Sequence, residues 1–144
     1  MAIESITLGK NTNLPGASKP HWSTYARGKR KVRGVMNKTE EEFFADHISP
    51  RRIAGEIVET WYEIWSWRLT EKTPDGKPGI RYTPDFVVML KGGQLVAYEV
   101  KGTGIATRAD LNRVKLAAHT IPIQFFVATK QTKKQGGGFK IEEY

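Results

Sequence analysis

Residues 81–102, RYTPDFVVMLKGGQLVAYEVKG, constrain this chain more than any other stretch. Two apolar runs, 81–90 and 95–101, flank Lys91-Gly92-Gly93-Gln94. Branched and aromatic side chains favour extended backbone, and a short glycine-containing link joins antiparallel neighbours. The stretch therefore reads as a strand hairpin inside a core. Yet Asp85 follows Pro84 in the first strand, and Glu99 and Lys101 flank Val100 at the end of the second. Charges at the ends of buried strands are costly unless something pairs with them.

With the turn centred on Gly92 and Gly93, Asp85 faces Val100, one place from Glu99. A bulge or a shifted register brings the two carboxylates to one point. Adjacent carboxylates repel and raise a pKa unless a cation joins them. Hard oxygen ligands suit Mg²⁺, with Mn²⁺ as its substitute. Glu99 and Lys101 are two positions apart and share one strand face. Val100, between them, offers its backbone carbonyl as a further oxygen ligand. Lys101 beside such a metal can orient or activate water, or stabilise charge on a phosphate. The plainer alternative is an Asp in a turn beside a surface Glu–Lys pair.

The rest of the chain supplies a frame. Asn37 to Glu42, NKTEEE, opens a helix, with Thr39 as the expected cap and Glu42 completing a capping box. Pro50 stops or interrupts that helix, and residues 51–57 read as a second short helix or a turn. Residues 57–69 alternate as one strand, placing Trp61, Glu63, Trp65 and Trp67 on one side. That tryptophan edge serves either core packing or burial in a dimer. Residues 70–79 form a loop. Thr107 or Asp110 caps a helix running to about His119, with Leu111, Val114 and Ala118 on its apolar face. Residues 121–129 read as a buried strand, 130–138 as a basic glycine-rich loop, and 139–144 as an edge strand. The order of elements predicts an α/β fold, a central mixed β-sheet flanked by helices.

The length of 144 residues suits one core. Cysteine is absent, which removes disulfides and thiolate metal sites. No run is long and apolar enough for a membrane helix, and the N-terminus lacks the order of a signal peptide. A soluble intracellular protein is expected. The net charge of +8 is concentrated at the front: residues 1–38 hold eight Lys or Arg against one acid, and the remainder is nearly neutral. A basic arm of this kind attracts polyanions, nucleic acid first among them. Within it, His21, Trp22 and Tyr25 precede Arg27, Lys29, Arg30, Lys31 and Arg33. Those aromatics either stack on bases or anchor the arm locally.

Asp85 after Pro84, followed by Glu99-Val100-Lys101 and Gly102, resembles the signature of the PD-(D/E)xK nuclease superfamily. The likeness extends to the order of elements over about 38–129 and leaves the arm outside. Among such enzymes the chain is similar to small phage-type endonucleases and, more distantly, to phage Holliday junction resolvases. The resemblance implies a restriction-endonuclease-like core over 38–144, preceded by a basic, partly flexible arm over 1–37. It implies metal ligation by Asp85 and Glu99, catalysis by Lys101, and a further acid from the first helix. Glu40 fits that last place best, with Glu41, Glu42 and Glu56 as competitors. It also implies a phosphate contact from Lys115, extended by Arg108, Arg113, Lys130, Lys133 and Lys134.

The expected activity is Mg²⁺-dependent hydrolysis of DNA phosphodiester bonds, selective for branched duplex such as Holliday junctions. A homodimer would nick paired strands. The expected setting is the cytoplasm of a bacterial cell, as a phage protein or a nucleoid-associated one. Other readings are a non-specific, nicking or recombination-linked nuclease, an RNA-processing nuclease, and a non-catalytic nucleic-acid-binding protein on the same fold.

Overall fold

A computed structural model of the chain describes residues 32–104 and 107–144. Arg27, Lys29, Arg30, Lys31 and the aromatic group His21, Trp22 and Tyr25 lie outside the described residues. Strands β4 (Phe86–Leu90) and β5 (Leu95–Lys101) form the expected hairpin. Its register, however, is one residue from the simplest one. Leu90 N donates to Gln94 O at 2.8 Å, and Gly93 N donates to Leu90 O at 2.8 Å. The link is thus a three-residue turn, Lys91 to Gly93, closed by Gly93 at φ +84°. Such loops need a left-handed residue at their end. Phe86 consequently pairs with Tyr98. One step further along the ladder Asp85 aligns with Glu99, not with Val100.

Three more strands complete a five-stranded mixed sheet. β1 (Ile57–Tyr62) runs antiparallel to β4, β6 (Gln124–Lys130) parallel to β5, and β7 (Phe139–Glu143) antiparallel to β6. The spatial order is β1-β4-β5-β6-β7. β2 (Trp67–Arg68) and β3 (Arg81–Tyr82) make a separate two-stranded ribbon. α3 (Arg108–Thr120) carries the chain from β5 to β6, and both candidate caps act in it. Thr107 is its N-cap and Asp110 completes the box.

Strand alternation divides the core. Phe86, Val88, Val96, Tyr98 and Val100 pack against Phe43 and Ile48 of the N-terminal helical segment. Val87, Ala97, Phe125 and Val127 pack against Val114 and Ala117 of α3. Helices therefore cover both faces. Trp61, Trp65 and Trp67 are half-buried and pack onto the α3-side cluster. Among the described residues, no helix is long and apolar enough to cross a membrane.

Local structure departs from the sequence reading at four points. α1 (Lys38–Phe43) is capped by Asn37 instead of Thr39, and Glu40, not Glu42, completes the capping box. Pro50 does not end the helix. A π-helical turn, Phe44–Ile48, leads into α2 (Ser49–Ile53), with Pro50 in its first turn. Proline lacks the N–H that an α-turn would use there, and the wider turn accommodates its ring. The long strand expected over 57–69 breaks at Glu63, whose φ is +47°. The strand expected over 81–90 splits at Thr83-Pro84-Asp85.

The turn generates a simple test. An added Cβ at either Gly92 or Gly93 meets nothing within 4 Å, so only backbone preference separates the two. Gly93→Ala should cost about 1 kcal/mol. Gly92→Ala should be neutral or slightly stabilising. Urea denaturation of the two variants checks the difference.

Candidate functional site

Three strand ends and one helix start meet at one edge of the sheet. Tyr62 pairs with Phe86 across β1 and β4, which brings Glu63 beside Asp85. Glu63 N donates to Asp85 O at 2.9 Å. Asp85 Oδ2 accepts from Val100 N at 2.7 Å, tying the start of β4 to the end of β5. Glu40 arrives from the first turn of α1. Carboxylate oxygens of Glu40, Glu63 and Asp85 all lie within 4.8 Å of one another. Glu40 is 2 % exposed and Asp85 8 %.

Each of the three is held by identifiable donors. Glu40 Oε2 accepts from Asn37 N at 2.9 Å and from the Tyr62 hydroxyl at 2.5 Å. Its Oε1 accepts from Asn37 Nδ2 at 2.8 Å. The acid that closes the helix box is thus the acid that faces the cleft. Glu63 Oε2 accepts from Gly34 N at 3.0 Å. Among the described residues, Glu63 is the one non-glycine residue with positive φ. Such a backbone costs about 1–2 kcal/mol in an L-residue. Strain of this sort clusters where geometry serves a function.

Glu99, expected as a ligand beside Asp85, is not one of the three acids whose oxygens converge. Its Oε1 is 2.7 Å from Lys101 Nζ, and its Oε2 accepts from the Tyr82 hydroxyl at 2.9 Å. Lys101 and Tyr82 thus partner its two oxygens. Val100, expected to offer its carbonyl to a metal, also meets Asp85 through its N–H. Burial acts to lower the Lys101 pKa, but the charge and hydrogen bond of Glu99, with Asp110 and Asp85, outweigh it and raise it. Asp110 Oδ2 is 4.0 Å from Lys101 Nζ. The Thr107 hydrogen bond, then Lys101 and Arg113, hold the Asp110 pKa down. Burial foremost, then the charges of Glu99 and Asp85, push the Tyr82 phenol far above its ordinary value.

The competing acids are occupied elsewhere. Glu42 pairs with Lys130, which takes that lysine away from any phosphate surface. Glu56 pairs with Arg51 at 2.9 Å. Glu41 is exposed on α1. Lys115 is not brought to the site. Its Nζ lies 5.9 Å from the Tyr144 ring centroid. Tyr144 N bonds to Phe125 O near the start of β6, whereas the site adjoins the end of β5. Arg33 and Arg108 are exposed, as are Lys133 and Lys134 in a short 3₁₀ turn after β6.

Glu40, Glu63 and Asp85 could hold a metal ion: three carboxylates converge, and hard cations take such oxygen donors. Glu40 and Asp85, though not Glu63, line a cleft of about 470 Å³ together with Asn37, Val100, Lys101 and Gly102. Glu63 was not singled out by sequence. Alternation put it on the tryptophan face of an unbroken strand. The available signal was one acid inside the aromatic run WYEIWSW. Comparison of the chain with protein-family models, curated proteins and solved structures returned no match.

Two predictions follow from this geometry. In Mn²⁺ titrations followed by electron paramagnetic resonance, Asp85→Asn and Glu63→Gln should each weaken binding about tenfold or more. Glu56→Gln should leave it unchanged, and equal affinity in all three variants would remove the site. The second concerns pH. The raised Lys101 pKa means its ion-pair stabilisation is fully present below the ordinary lysine range and is lost as pH rises through the folded value. The stability gap between wild type and Glu99→Gln should therefore stay level from pH 7 to about 9. It should shrink only above about pH 10.4, as read by urea denaturation.

Proposed function

We propose that this chain is a divalent-metal-dependent DNA endonuclease of the PD-(D/E)xK type on a restriction-endonuclease-like core. The observation that carries the reading is the convergence of Glu40, Glu63 and Asp85 beside the Lys101–Glu99 pair at the edge of a mixed sheet. Glu40, Glu63 and Asp85 would hold Mg²⁺ or Mn²⁺. Such a cation, when bound, polarises a phosphate and makes a water molecule a better nucleophile.

The chain's own groups divide the remaining work. Lys101, 2.7 Å from Glu99, offers a positive charge for the phosphate. Glu99 positions Lys101, and Tyr82 positions Glu99 through its hydroxyl. Asp85 is aimed by the Val100 N–H. In-line hydrolysis would leave 5′-phosphate and 3′-hydroxyl ends, as the resemblance implies. Branched duplex is the preferred substrate, because the basic N-terminal sequence offers backbone contacts and backbone contacts carry shape, not base sequence. A homodimer would cut paired strands of a junction.

A non-catalytic nucleic-acid-binding protein on the same fold is the second reading. It draws support from the structural duty of Glu40, which closes the box of α1. Cleavage assays separate the two. Purified protein with Mg²⁺ should cut a four-way junction faster than linear duplex. Asp85→Asn and Lys101→Ala should each lower the rate about a hundredfold or more. Binding without metal-dependent cleavage of branched, linear or single-stranded DNA would sink the enzyme reading.

A further inference from the structure

A second cleft, of about 280 Å³, opens on the α3 side of β5 and is lined by Arg81, Tyr82, Thr83, Glu99, Asp110 and Arg113. A smaller one, of about 110 Å³, is bordered by Arg68, Lys72 and again Arg81. Arg81 borders both, so cations from the two clefts meet at this residue. Its anchoring to the site is covalent and short. Arg81 precedes Tyr82, whose hydroxyl bonds to Glu99, and Asp85 follows three residues later. Tyr82 itself is buried in the α3-side core.

The ribbon contains a local conflict. Arg68 and Arg81 are direct partners across β2 and β3. Like charges at directly opposed positions destabilise a strand pair. Arg68 is relieved by Glu71, at 3.0 Å. Among the described residues, Arg81 and Arg113 make no ion pair within 4.0 Å. The two acids in the larger cleft have closer partners than these arginines, although Asp110 also feels the charge of Arg113. Glu99 is taken by Lys101 and Tyr82, and Asp110 is held by the Thr107 hydroxyl at 2.7 Å. A ribbon that opposes two arginines and leaves Arg81 outside any ion pair, with Arg113 of α3 lining the same cleft, suits an anion with repeated charges.

We propose that Arg68, Lys72, Arg81 and Arg113 form a track for the non-scissile backbone phosphates of DNA whose scissile phosphate lies at the carboxylate cluster. The proposal rests on the nucleic-acid reading above and assigns to that site the path of its substrate. Guanidiniums bind phosphate oxygens through paired N–H donors. Contacts of this kind fix register and orientation without reading bases. The ribbon thereby sets which phosphate along the strand reaches Asp85.

The test is equilibrium binding of a fluorescein-labelled 30-base-pair duplex by the full chain in EDTA, where no cleavage occurs, across a NaCl series. Arg81→Ala/Arg113→Ala should reduce the slope of log affinity against log salt by about 2, roughly one per lost phosphate contact. Affinity at low salt should fall about tenfold or more. Lys91→Ala, in the turn at the opposite end of β5, should leave the slope unchanged. Circular dichroism melting establishes that the exposed arginine substitutions leave the fold intact. An unchanged slope in the double variant, or an equal loss in Lys91→Ala, overturns the track. Metal-dependent cleavage alongside an unchanged slope rejects the track and keeps the nuclease reading. A reduced slope without cleavage keeps the track and rejects the nuclease. A wild-type chain that does not bind duplex rejects both.

Discussion

The hydrogen bond from Val100 N to Asp85 Oδ2 ties together everything else at the site. It joins the start of β4 to the end of β5 just where the ladder stops, and it depends on the hairpin register. That register is set at the far end of the strands, by three turn residues closing on Gly93. A two-residue link would move every β5 side chain to the other face. Glu99 and Lys101 would then point away from α3, and Tyr98 would leave Phe43, whose ring centroid it now meets at 5.3 Å. Core packing and the site are therefore consequences of one register. Packing on both faces enforces it, because a slip would carry Val96, Tyr98 and Val100 of β5 out of the α1-side cluster.

The hairpin, the crossover helix and the edge strand were legible because their signals are local. Period-two apolar runs, a glycine turn and a threonine cap each act over a few residues. Asp85 and Lys101 stood out for a different reason: charged groups in apolar runs are expensive, whereas Glu40 came only from the family resemblance. The partners of Asp85 and Lys101 were less legible. Glu99 has the right spacing, but Tyr82 claims one of its oxygens, and Tyr82 reaches it only because the strand splits at Pro84. Glu63 was invisible because the bend that aims it is a single positive φ in a sequence that alternates cleanly on both sides. Nothing in WYEIWSW marks the break, since glutamate has no preference for left-handed backbone. The helix cap was misread by two residues for a similar reason. Thr39-Glu42 and Asn37-Glu40 both satisfy the capping-box spacing, and the Glu40 carboxylate gains a hydrogen bond from Tyr62, far away in the chain.

The choice of cap has a chemical consequence. Glu40 holds the first turn of α1 by accepting from Asn37 N and Nδ2, and it faces Asp85 at the same time. A cation drawn to the cluster would therefore act on a residue that also fixes a helix end. Binding and local order at α1 are coupled through one carboxylate. Glu63 adds a second coupling, because its side chain accepts from Gly34 N and its own N–H holds Asp85 O. The carboxylates are thus set by backbone contacts from three directions, which is how a site keeps its shape while its charges repel.

Three converging carboxylates raise a problem for any anionic substrate. At an effective dielectric of about 20, unit charges about 8 Å apart interact by about 2 kcal/mol. Several carboxylates would repel a phosphate by more than one such increment. A bound cation offsets part of that. The remainder falls to fixed positive charge nearby, and the structure places it on one side. Lys101 sits between the acidic cleft and the α3-side cleft, held protonated by Glu99, with Arg81 and Arg113 beyond it. Glu99 serves this layout better as the anchor of Lys101 than as a fourth acid in the cluster, where it would add repulsion and release the lysine. In the proposed nuclease, the pairing of Glu99 with Lys101 beside the cluster of Glu40, Glu63 and Asp85 would let attraction for metal and attraction for phosphate coexist at one end of the sheet.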